Sequence, residues 1–227
     1  MRILLKLSGE VLGGPKGLGL DADTLTHFAK LIGKIAQKHE IAIVTGGGNI
    51  MRGKVAKGLD RSKADQIGMM ATVVNCMALE QHLLANGFSA CAVSSVPSLA
   101  THYDIPAARR LLSEKTIVLV AGGTSNPYFT TDSAAALRAL ELNCDLLIKA
   151  TKVDGVYDSD PAKNPNARRY DRLTFDEAVA QNLGVMDLTA MILCRENGLQ
   201  LRVTSVDSLE NFDDILNGTA KSTLVSA

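Results

Sequence analysis

Three segments of the chain combine glycines with small polar or cationic side chains, and each directly follows an apolar run. They are "KLSGE" at residues 6–10, "TGGGN" at 45–49 and "AGGTSNPYFTTD" at 121–132. Glycine lets backbone amides approach an anion closely, and the N-terminus of a following helix adds positive charge. One such turn is commonplace, but three on the same side of a sheet can hold several phosphate groups. The segments therefore predict phosphate binding, with Lys6 and Arg52 as nearby cations.

The middle segment partly matches two known phosphate-binding motifs. The dinucleotide fingerprint G-x-G-x-x-G, counted from Gly46, places Met51 at the third glycine position. The P-loop pattern G-x-x-x-x-G-K fits from Gly48 to Lys54, but Val55 stands where a Ser or Thr hydroxyl would hold Mg²⁺. Each match lacks a part on which the mechanism of the motif depends. We therefore expect neither a dinucleotide-binding fold nor a P-loop.

Short apolar runs alternate with longer helical patterns along the chain. We predict strands at residues 2–7, 41–45, 90–94, 116–121, 145–150 and 201–205. We predict helices at 24–39, 64–86, 132–143, 174–182, 187–197 and 208–216. Asp23 is the expected N-cap of the first helix, and the second should turn its apolar side to the core through Met69, Met70, Val73, Val74 and Met77.

This alternation predicts the α/β class, with a mostly parallel sheet covered by helices on both faces. Residues 151–173 are rich in Asp, Asn, Gly and Pro and suit a β-hairpin with turns. We expect a single domain over residues 1–227, in which a larger half (1–150) and a smaller half (151–227) share one sheet.

The composition argues against several classes of protein. Lys plus Arg and Asp plus Glu both number 24, so the basic excess of most nucleic-acid-binding proteins is missing. The four cysteines are far apart and none has a histidine at metal-ligand spacing, which predicts reduced core thiols. No apolar stretch approaches the ~20 residues of a membrane span, and Lys6 comes too early for a signal peptide. We expect a soluble, cytoplasmic protein without nucleic-acid or membrane partners.

Four longer motifs extend the glycine segments and cover nearly the whole chain. In order they are "LKLSGE", "TGGGNIMRG", "GTSNPYFTTDSAAALRA" and "IKATKVDGVYDSDP". Together they resemble the bacterial uridylate (UMP) kinases of the amino acid kinase family. The resemblance implies the amino acid kinase fold, a three-layer αβα sandwich with an open, mostly parallel central sheet. It also implies ATP in residues 151–227, the acceptor UMP in residues 1–150, a homohexamer, and effectors such as GTP and UTP whose site we do not assign.

The resemblance gives three charged residues catalytic roles. Lys6 would contact the phosphoryl group being transferred; without the motif around it, it could equally be a solvated lysine at a strand end. Arg52 would bridge the phosphates of the two substrates. Asp132 would orient Lys6, although an aspartate at the start of a helix is as readily explained as its N-cap.

The same resemblance implies the substrate-binding residues. Asp65 would bind ribose hydroxyls, although an aspartate in the first turn of a helix also interacts favourably with the helix dipole. UMP would contact Gly47, Asp65, Thr124, Ser125, Asn126, Pro127, Tyr128, Phe129, Thr130 and Thr131. ATP would contact Lys6, Leu7, Ser8, Gly9, Gly48, Arg52, Thr151, Tyr157 and Asp160. Lys149 and Lys152 flank the ATP site without separate roles, and Ser125 replaces a glycine common in the family.

Phosphoryl transfer to a nucleoside monophosphate needs no general base, because the second ionisation of the acceptor phosphate lies near pH ~6. The site must instead supply positive charge and alignment, which glycines and cations can do. We expect Mg²⁺ to be held mainly by phosphates and water, without a dedicated set of protein ligands. Two alternatives stay open: a kinase for a small carboxylate such as glutamate or carbamate, and a non-catalytic sensor of UMP or UTP.

Overall fold

The structure is a computed structural model that describes residues 1–51 and 58–227. Its centre is a nine-stranded sheet, and all neighbouring strands in it run parallel except β10 and β11. In spatial order the strands are β4 (Thr101–His102), β3 (Ala90–Ser94), β5 (Ile117–Ala121), β2 (Glu40–Thr45), β1 (Arg2–Leu7), β6 (Leu146–Thr151), β10 (Gln200–Ser205), β11 (Ser222–Ser226) and β9 (Arg172–Thr174). A separate antiparallel hairpin is formed by β7 (Val156–Tyr157) and β8 (Arg169–Tyr170).

Helices cover both faces of the sheet. One face carries α1 (Gly9–Leu12), α2 (Ala22–Lys38), α3 (Arg61–Ala85) and α8 (Phe212–Asn217). The other carries α4 (Ile105–Ser113), α5 (Thr131–Glu141), α6 (Phe175–Ala180) and α7 (Leu188–Glu196). Alternate residues of β1 enter different cores, since Ile3 and Leu5 pack towards α2 and α3 while Leu4 packs towards α5. This explains the continuously apolar strands and confirms the predicted three-layer α/β fold.

The structure corrects two predictions about helix starts. Asp21, not Asp23, is the N-cap of α2, because Asp21 has extended backbone angles and its side chain accepts the Thr24 N–H. Helix α3 begins at Arg61 behind the N-cap Asp60, three residues earlier than predicted. Asp65 therefore lies in the second turn of α3, beyond the part of a helix where the dipole acts most strongly on a carboxylate.

The apolar side of α3 is narrower than predicted. Met69 and Val73 are buried, but Met70 and Val74 are each almost half exposed. All four cysteines are free, and burial raises the pKa of the Cys76 thiol to about 11. Within residues 1–51 and 58–227, no helix is both long and apolar enough to cross a bilayer.

Candidate active site

The carboxyl ends of β1 and β2 bring the first two glycine segments into contact. The Gly46 N–H donates to the Leu7 carbonyl at 2.9 Å. A Cβ atom placed on Gly9 would lie 2.4 Å from the Gly46 carbonyl oxygen and 2.5 Å from Asn49 Oδ1. No side chain fits at Gly9 without moving the neighbouring backbone, so these glycines are required by the close approach of the two turns.

A buried pair of asparagines fixes the second glycine turn. Asn49 and Asn75 exchange two side-chain hydrogen bonds, at 2.9 and 2.8 Å. The Asn75 amide also donates to the Gly46 carbonyl at 2.7 Å, and the Asn49 amide donates to the Gly19 carbonyl at 2.6 Å. Because both side chains are buried and their amides are fully used, the turn is tied to α3 and to the segment before α2.

Two lysines lie side by side beneath these turns. Lys6 in β1 and Lys149 in β6 are in register across neighbouring parallel strands, and Val44 and Val203 flank them on the next strands out. Both lysines lie on the face of the sheet that α5 covers, since Leu4 and Leu147, two residues earlier, pack in that core. Burying two ammonium groups among apolar neighbours is costly unless they have anionic partners.

Asp132 in α5 is the anion that both lysines share. Its Oδ2 accepts a hydrogen bond from Lys149 Nζ at 2.7 Å, and its Oδ1 lies 2.8 Å from Lys6 Nζ in an ion pair without hydrogen-bond angles. Lys149 Nζ also donates to the Val185 carbonyl at 2.7 Å. These three side chains, which we call the Lys6–Asp132–Lys149 triad, are only 11–15% exposed and carry a net charge of +1.

Burial and charge shift two pKa values in the triad. Burial acts to raise the pKa of Asp132, but Lys6 and Lys149 outweigh it, so that the pKa falls below its ordinary value. Burial lowers the pKa of Lys149, with Asp132 opposing this and Lys6 adding to it. Asp132 is therefore ionised throughout the neutral range, and its role is to hold the two lysines, not to exchange protons.

The N-cap of α5 is Thr130, so the N-cap explanation of Asp132 is wrong. The Thr130 hydroxyl accepts the N–H groups of Asp132 and Ser133 at 3.0 and 3.3 Å. Asp187, the N-cap of α7, accepts hydrogen bonds from Thr130 Oγ1 and from the Ser133 hydroxyl. The side chain of Asp132 is thereby left to the lysines.

A cavity of about 440 Å³ opens beside the glycine turns, between α3 and the segment that precedes α5. It brings together many of the residues predicted to bind UMP, and it adds Arg61 to them. Its walls include Gly47, Gly48, Arg61, Asp65, Thr72, Thr124, Asn126, Phe129, Thr130 and Thr131. Ser125, Pro127 and Tyr128 belong to the same segment but lie outside the described walls of the cavity.

The segment 124–131 is held by its own backbone conformation and by neighbouring loops. Ser125 has φ = 70°, the left-handed region that favours glycine, which accounts for the glycine common at this position in the resembling family. Its hydroxyl donates to the Ser95 carbonyl at 2.8 Å. Arg138 in α5 donates to the Gly123 carbonyl at 2.8 Å, so the start of the segment is anchored to the helix that carries Asp132.

The residues predicted to bind ATP are less closely grouped. Thr151 ends β6 beside Lys149, but it lines a separate cavity of about 390 Å³ that also contains Lys152. Tyr157 lies in the hairpin and its hydroxyl donates to Asp154 at 2.5 Å, while Asp160 accepts the Ala162 N–H at 3.0 Å. Among the described residues, neither Tyr157 nor Asp160 lines the cavity of Thr151.

Arg52, predicted to bridge the phosphates, lies outside the described residues. Among those that are described, no three His, Cys, Asp or Glu side chains are grouped as metal ligands. Sequence reasoning missed the pairing of Lys149 with Asp132, the asparagine pair and Arg61. A signal for Lys149 was present, because it is a lysine in an otherwise apolar strand, as Lys6 is. Its position beside Lys6, where both can reach Asp132, depends on the register between β1 and β6, which no local sequence pattern encodes.

The chain is similar to known proteins in both sequence and fold. Residues 1–205 match the model of the amino acid kinase family. The uridylate kinase of Magnetococcus marinus is 45% identical, over 99% of this chain and 95% of its own. The uridylate kinase of Methylococcus capsulatus is 50% identical over 90% of this chain and 88% of its own.

Solved structures agree with these sequence relationships. The crystal structure of UMP kinase from Ureaplasma parvum superimposes with a TM-score of 0.94 at 39% identity, covering 100% of this chain and 99% of that one. The UMP kinase from Bacillus anthracis gives a TM-score of 0.93 at 35% identity, covering 99% of this chain and 95% of that one.

Proposed function

This chain belongs to the amino acid kinase family and is a uridylate kinase, which transfers the γ-phosphoryl group of ATP to UMP; we propose that the Lys6–Asp132–Lys149 triad is where this transfer takes place. The observation that carries the proposal is the pair of in-register lysines sharing one carboxylate. The net charge of +1 in a largely buried position calls for an anion, and Gly47 and Gly48 of the second glycine turn line a cavity that could hold one.

Phosphoryl transfer between two anions needs fixed positive charge, and the triad carries it. UMP and the phosphate chain of ATP repel each other, so a fixed positive charge between them stabilises their approach and the charge on the transferring group. The bond from the β,γ-bridging oxygen to the γ-phosphorus breaks while an oxygen of the UMP phosphate bonds to that phosphorus, giving ADP and UDP. Since the UMP phosphate is already largely ionised at neutral pH, no side chain has to remove a proton.

The cavity between α3 and residues 124–131 is the proposed UMP site. Gly47 forms part of its wall, and its polar lining includes Asn126 and Thr131, which can read a base edge and a phosphate. Thr130 also lines it, with its hydroxyl engaged by Asp187 and by the first turn of α5. A Cβ atom on Gly47 would lie 2.7 Å from the Gly68 carbonyl, so this wall cannot accept a side chain without moving α3. Asp65 lies in the same cavity and is proposed to bind the ribose hydroxyls.

The proposed ATP site runs from Ser8 and Gly9 towards Thr151, Tyr157 and Asp160. It is supported by the resemblance and by the position of Thr151 beside Lys149 at the end of β6. Mg²⁺ would be held mainly by the ATP phosphates and water, where it would neutralise phosphate charge. The homohexamer, the cytoplasmic location and control by GTP and UTP belong to the proposal on resemblance alone.

The acceptor is tested by measuring ADP release in a coupled assay with ATP, Mg²⁺ and one candidate acceptor at a time. The panel is UMP, CMP, dTMP, AMP, GMP and glutamate, and we expect strong preference for UMP. Asp65→Asn should reduce UMP turnover while the variant remains folded. Turnover with glutamate would instead support the small-acid kinase, and UMP binding without any turnover would support the sensor.

A further inference from the structure

Arg61, Asp65 and Tyr128 form a contact between α3 and the segment before α5, which we call the Arg61 clasp. Arg61 Nε donates to Asp65 Oδ2 at 2.7 Å, one helical turn apart. The Tyr128 N–H donates to the same oxygen at 2.8 Å, although 63 residues separate it from Asp65. The Arg61 guanidinium carbon lies 5.4 Å from the centre of the Tyr128 ring, within the range of a cation–π contact.

The backbone at Tyr128 is shaped for this contact. Tyr128 has φ = 72°, a conformation that residues with side chains rarely adopt and that persists only when the surroundings hold it. Its side chain gains little from burial, since the residue is 67% exposed. The stabilisation must therefore come from the contacts that Tyr128 makes, and the hydrogen bond to Asp65 is one of them.

The clasp engages Oδ2 of Asp65 and leaves Oδ1 for another donor. The Asp65 side chain is only 11% exposed, and both donors of the clasp act on Oδ2. Among the described residues, none donates a hydrogen bond to Oδ1. Asp65 and Arg61 both line the cavity proposed for UMP. A carboxylate held by two fixed donors on one oxygen cannot rotate freely, so the direction of the second oxygen is set before any ligand arrives.

We propose that Arg61 is a positioning residue for ribose selection: through the clasp it holds Asp65 so that Oδ1 accepts a hydrogen bond from the 2′-hydroxyl of the acceptor ribose. The inference rests on the proposed function of the cavity. A site built to bond a hydroxyl rejects an analogue that lacks it, because the buried acceptor is then left unpaired. The clasp therefore makes the cavity discriminate between ribonucleotides and 2′-deoxyribonucleotides.

Arginine suits this position better than lysine. Donation through Nε leaves the flat face of the guanidinium free to lie over an aromatic ring, and a lysine ammonium cannot do both. Arg61→Lys keeps the charge beside Asp65 but loses the planar fork. It therefore separates the geometry of the clasp from simple charge neutralisation.

The test is the ratio of dissociation constants for UMP and 2′-deoxy-UMP, measured by isothermal titration calorimetry in the absence of ATP. In the wild-type protein we expect UMP to bind at least about 100-fold more tightly. Arg61→Gln should weaken UMP binding about 10- to 50-fold and leave 2′-deoxy-UMP within about threefold, so that the ratio falls to roughly 10 or less. Arg61→Lys should give an intermediate ratio, and the exposed control Arg110→Gln should keep the wild-type ratio.

Two further measurements separate positioning from a general structural effect. Titration with ATP should give a dissociation constant within about twofold of wild type for each variant, which confirms that the fold is intact. In an Asp65→Asn background, Arg61→Gln should change the ratio no further, because it acts only through Asp65.

An unchanged ratio of the two dissociation constants in Arg61→Gln would overturn the inference, whether both ligands bind as in the wild type or both are weakened equally. Because binding is measured without catalysis, the result is independent of turnover. A wild-type protein that selects UMP through Arg61 but transfers no phosphoryl group would support the clasp and count against the proposed function.

Discussion

Replacing Asp132 by asparagine should destabilise the protein strongly at neutral pH, and less at higher pH. Asparagine keeps the shape of the side chain and removes the only negative charge of the triad. Among the described residues, Lys6 and Lys149 would then face each other at 11–15% exposure without a paired carboxylate, with Asp187 acting on Lys149 only from a greater distance. Removing one partner of a buried ion pair typically costs about 3–5 kcal/mol.

The free-energy cost of the unbalanced charge has an upper limit that depends on pH. The protein can avoid the unbalanced charge by releasing a proton from one lysine, whose ordinary pKa is 10.5. At 1.36 kcal/mol for each pH unit below that value, the release costs about 4.8 kcal/mol at pH 7 and about 2.0 kcal/mol at pH 9. In the wild type, Asp132 has a lowered pKa and stays ionised across this range, so its own charge does not change between pH 7 and 9.

The assay is urea denaturation at pH 7, 8 and 9, with the free energy of unfolding of the Asp132→Asn variant subtracted from that of the wild type. We expect about 3–5 kcal/mol at pH 7 and no more than about 2 kcal/mol at pH 9. Asp171→Asn is the matched control, because its side chain is 86% exposed and pairs with Arg169 at the surface. It should cost about 0–1 kcal/mol at every pH. If the free energy of unfolding lost in Asp132→Asn does not change with pH, the unbalanced charge of Lys6 and Lys149 is not the cause of the loss.

Three other changes test separate parts of the site. Asn75→Ala removes the hydrogen bond to the Gly46 carbonyl and two of the three hydrogen bonds of the Asn49 side chain, so urea denaturation should show a loss of about 2–4 kcal/mol; a loss below about 1 kcal/mol would count against the pair. Gly9→Ala should raise the KM for ATP at least about tenfold through its clash with Gly46, while the control Gly184→Ala, which meets nothing within 4 Å, should leave KM unchanged. Lys149→Arg should shift the alkaline limb of the pH–rate profile upward, because burial lowers the lysine pKa below 10.5 whereas arginine stays charged; an unmoved limb would exclude Lys149 as its origin.

The sheet could be predicted closely from the sequence, because each central strand is a continuous apolar run. Residues 2–7 and 90–94 were predicted as strands, and the structure has β1 at Arg2–Leu7 and β3 at Ala90–Ser94. Burial on both faces makes such runs distinct from the amphipathic helices between them. Short edge elements such as β4 and β9 were not predicted, since two or three residues are too few to show a period.

Helix starts were less predictable, because several capping residues often stand close together. Asp21 and Asp23 both stand at the start of α2, and only the backbone conformation decides which of them caps it. At α5 the sequence suggested Asp132 as a possible cap, and the structure assigns the cap to Thr130.

The sequence pointed to several residues that the structure brings together, but not to how they pair. The resemblance pointed to Lys6 and Asp132, and the structure places the two side chains 2.8 Å apart. The partnership of Lys149 with Asp132 and that of Tyr128 with Asp65 join residues 17 and 63 positions apart. Such contacts depend on strand register and loop path, which local composition and periodicity do not specify.

The most direct test of the central claim is the single-turnover rate of phosphoryl transfer from ATP to UMP, measured by rapid quench for the wild type, Lys6→Gln and Lys30→Gln. Lys30 lies exposed on α2, away from the triad. If the triad stabilises the transferring phosphoryl group, Lys6→Gln should slow the step about 10²- to 10³-fold, while Lys30→Gln stays within about twofold. Equal rates for Lys6→Gln and wild type, with UMP and ATP both bound, would contradict the account.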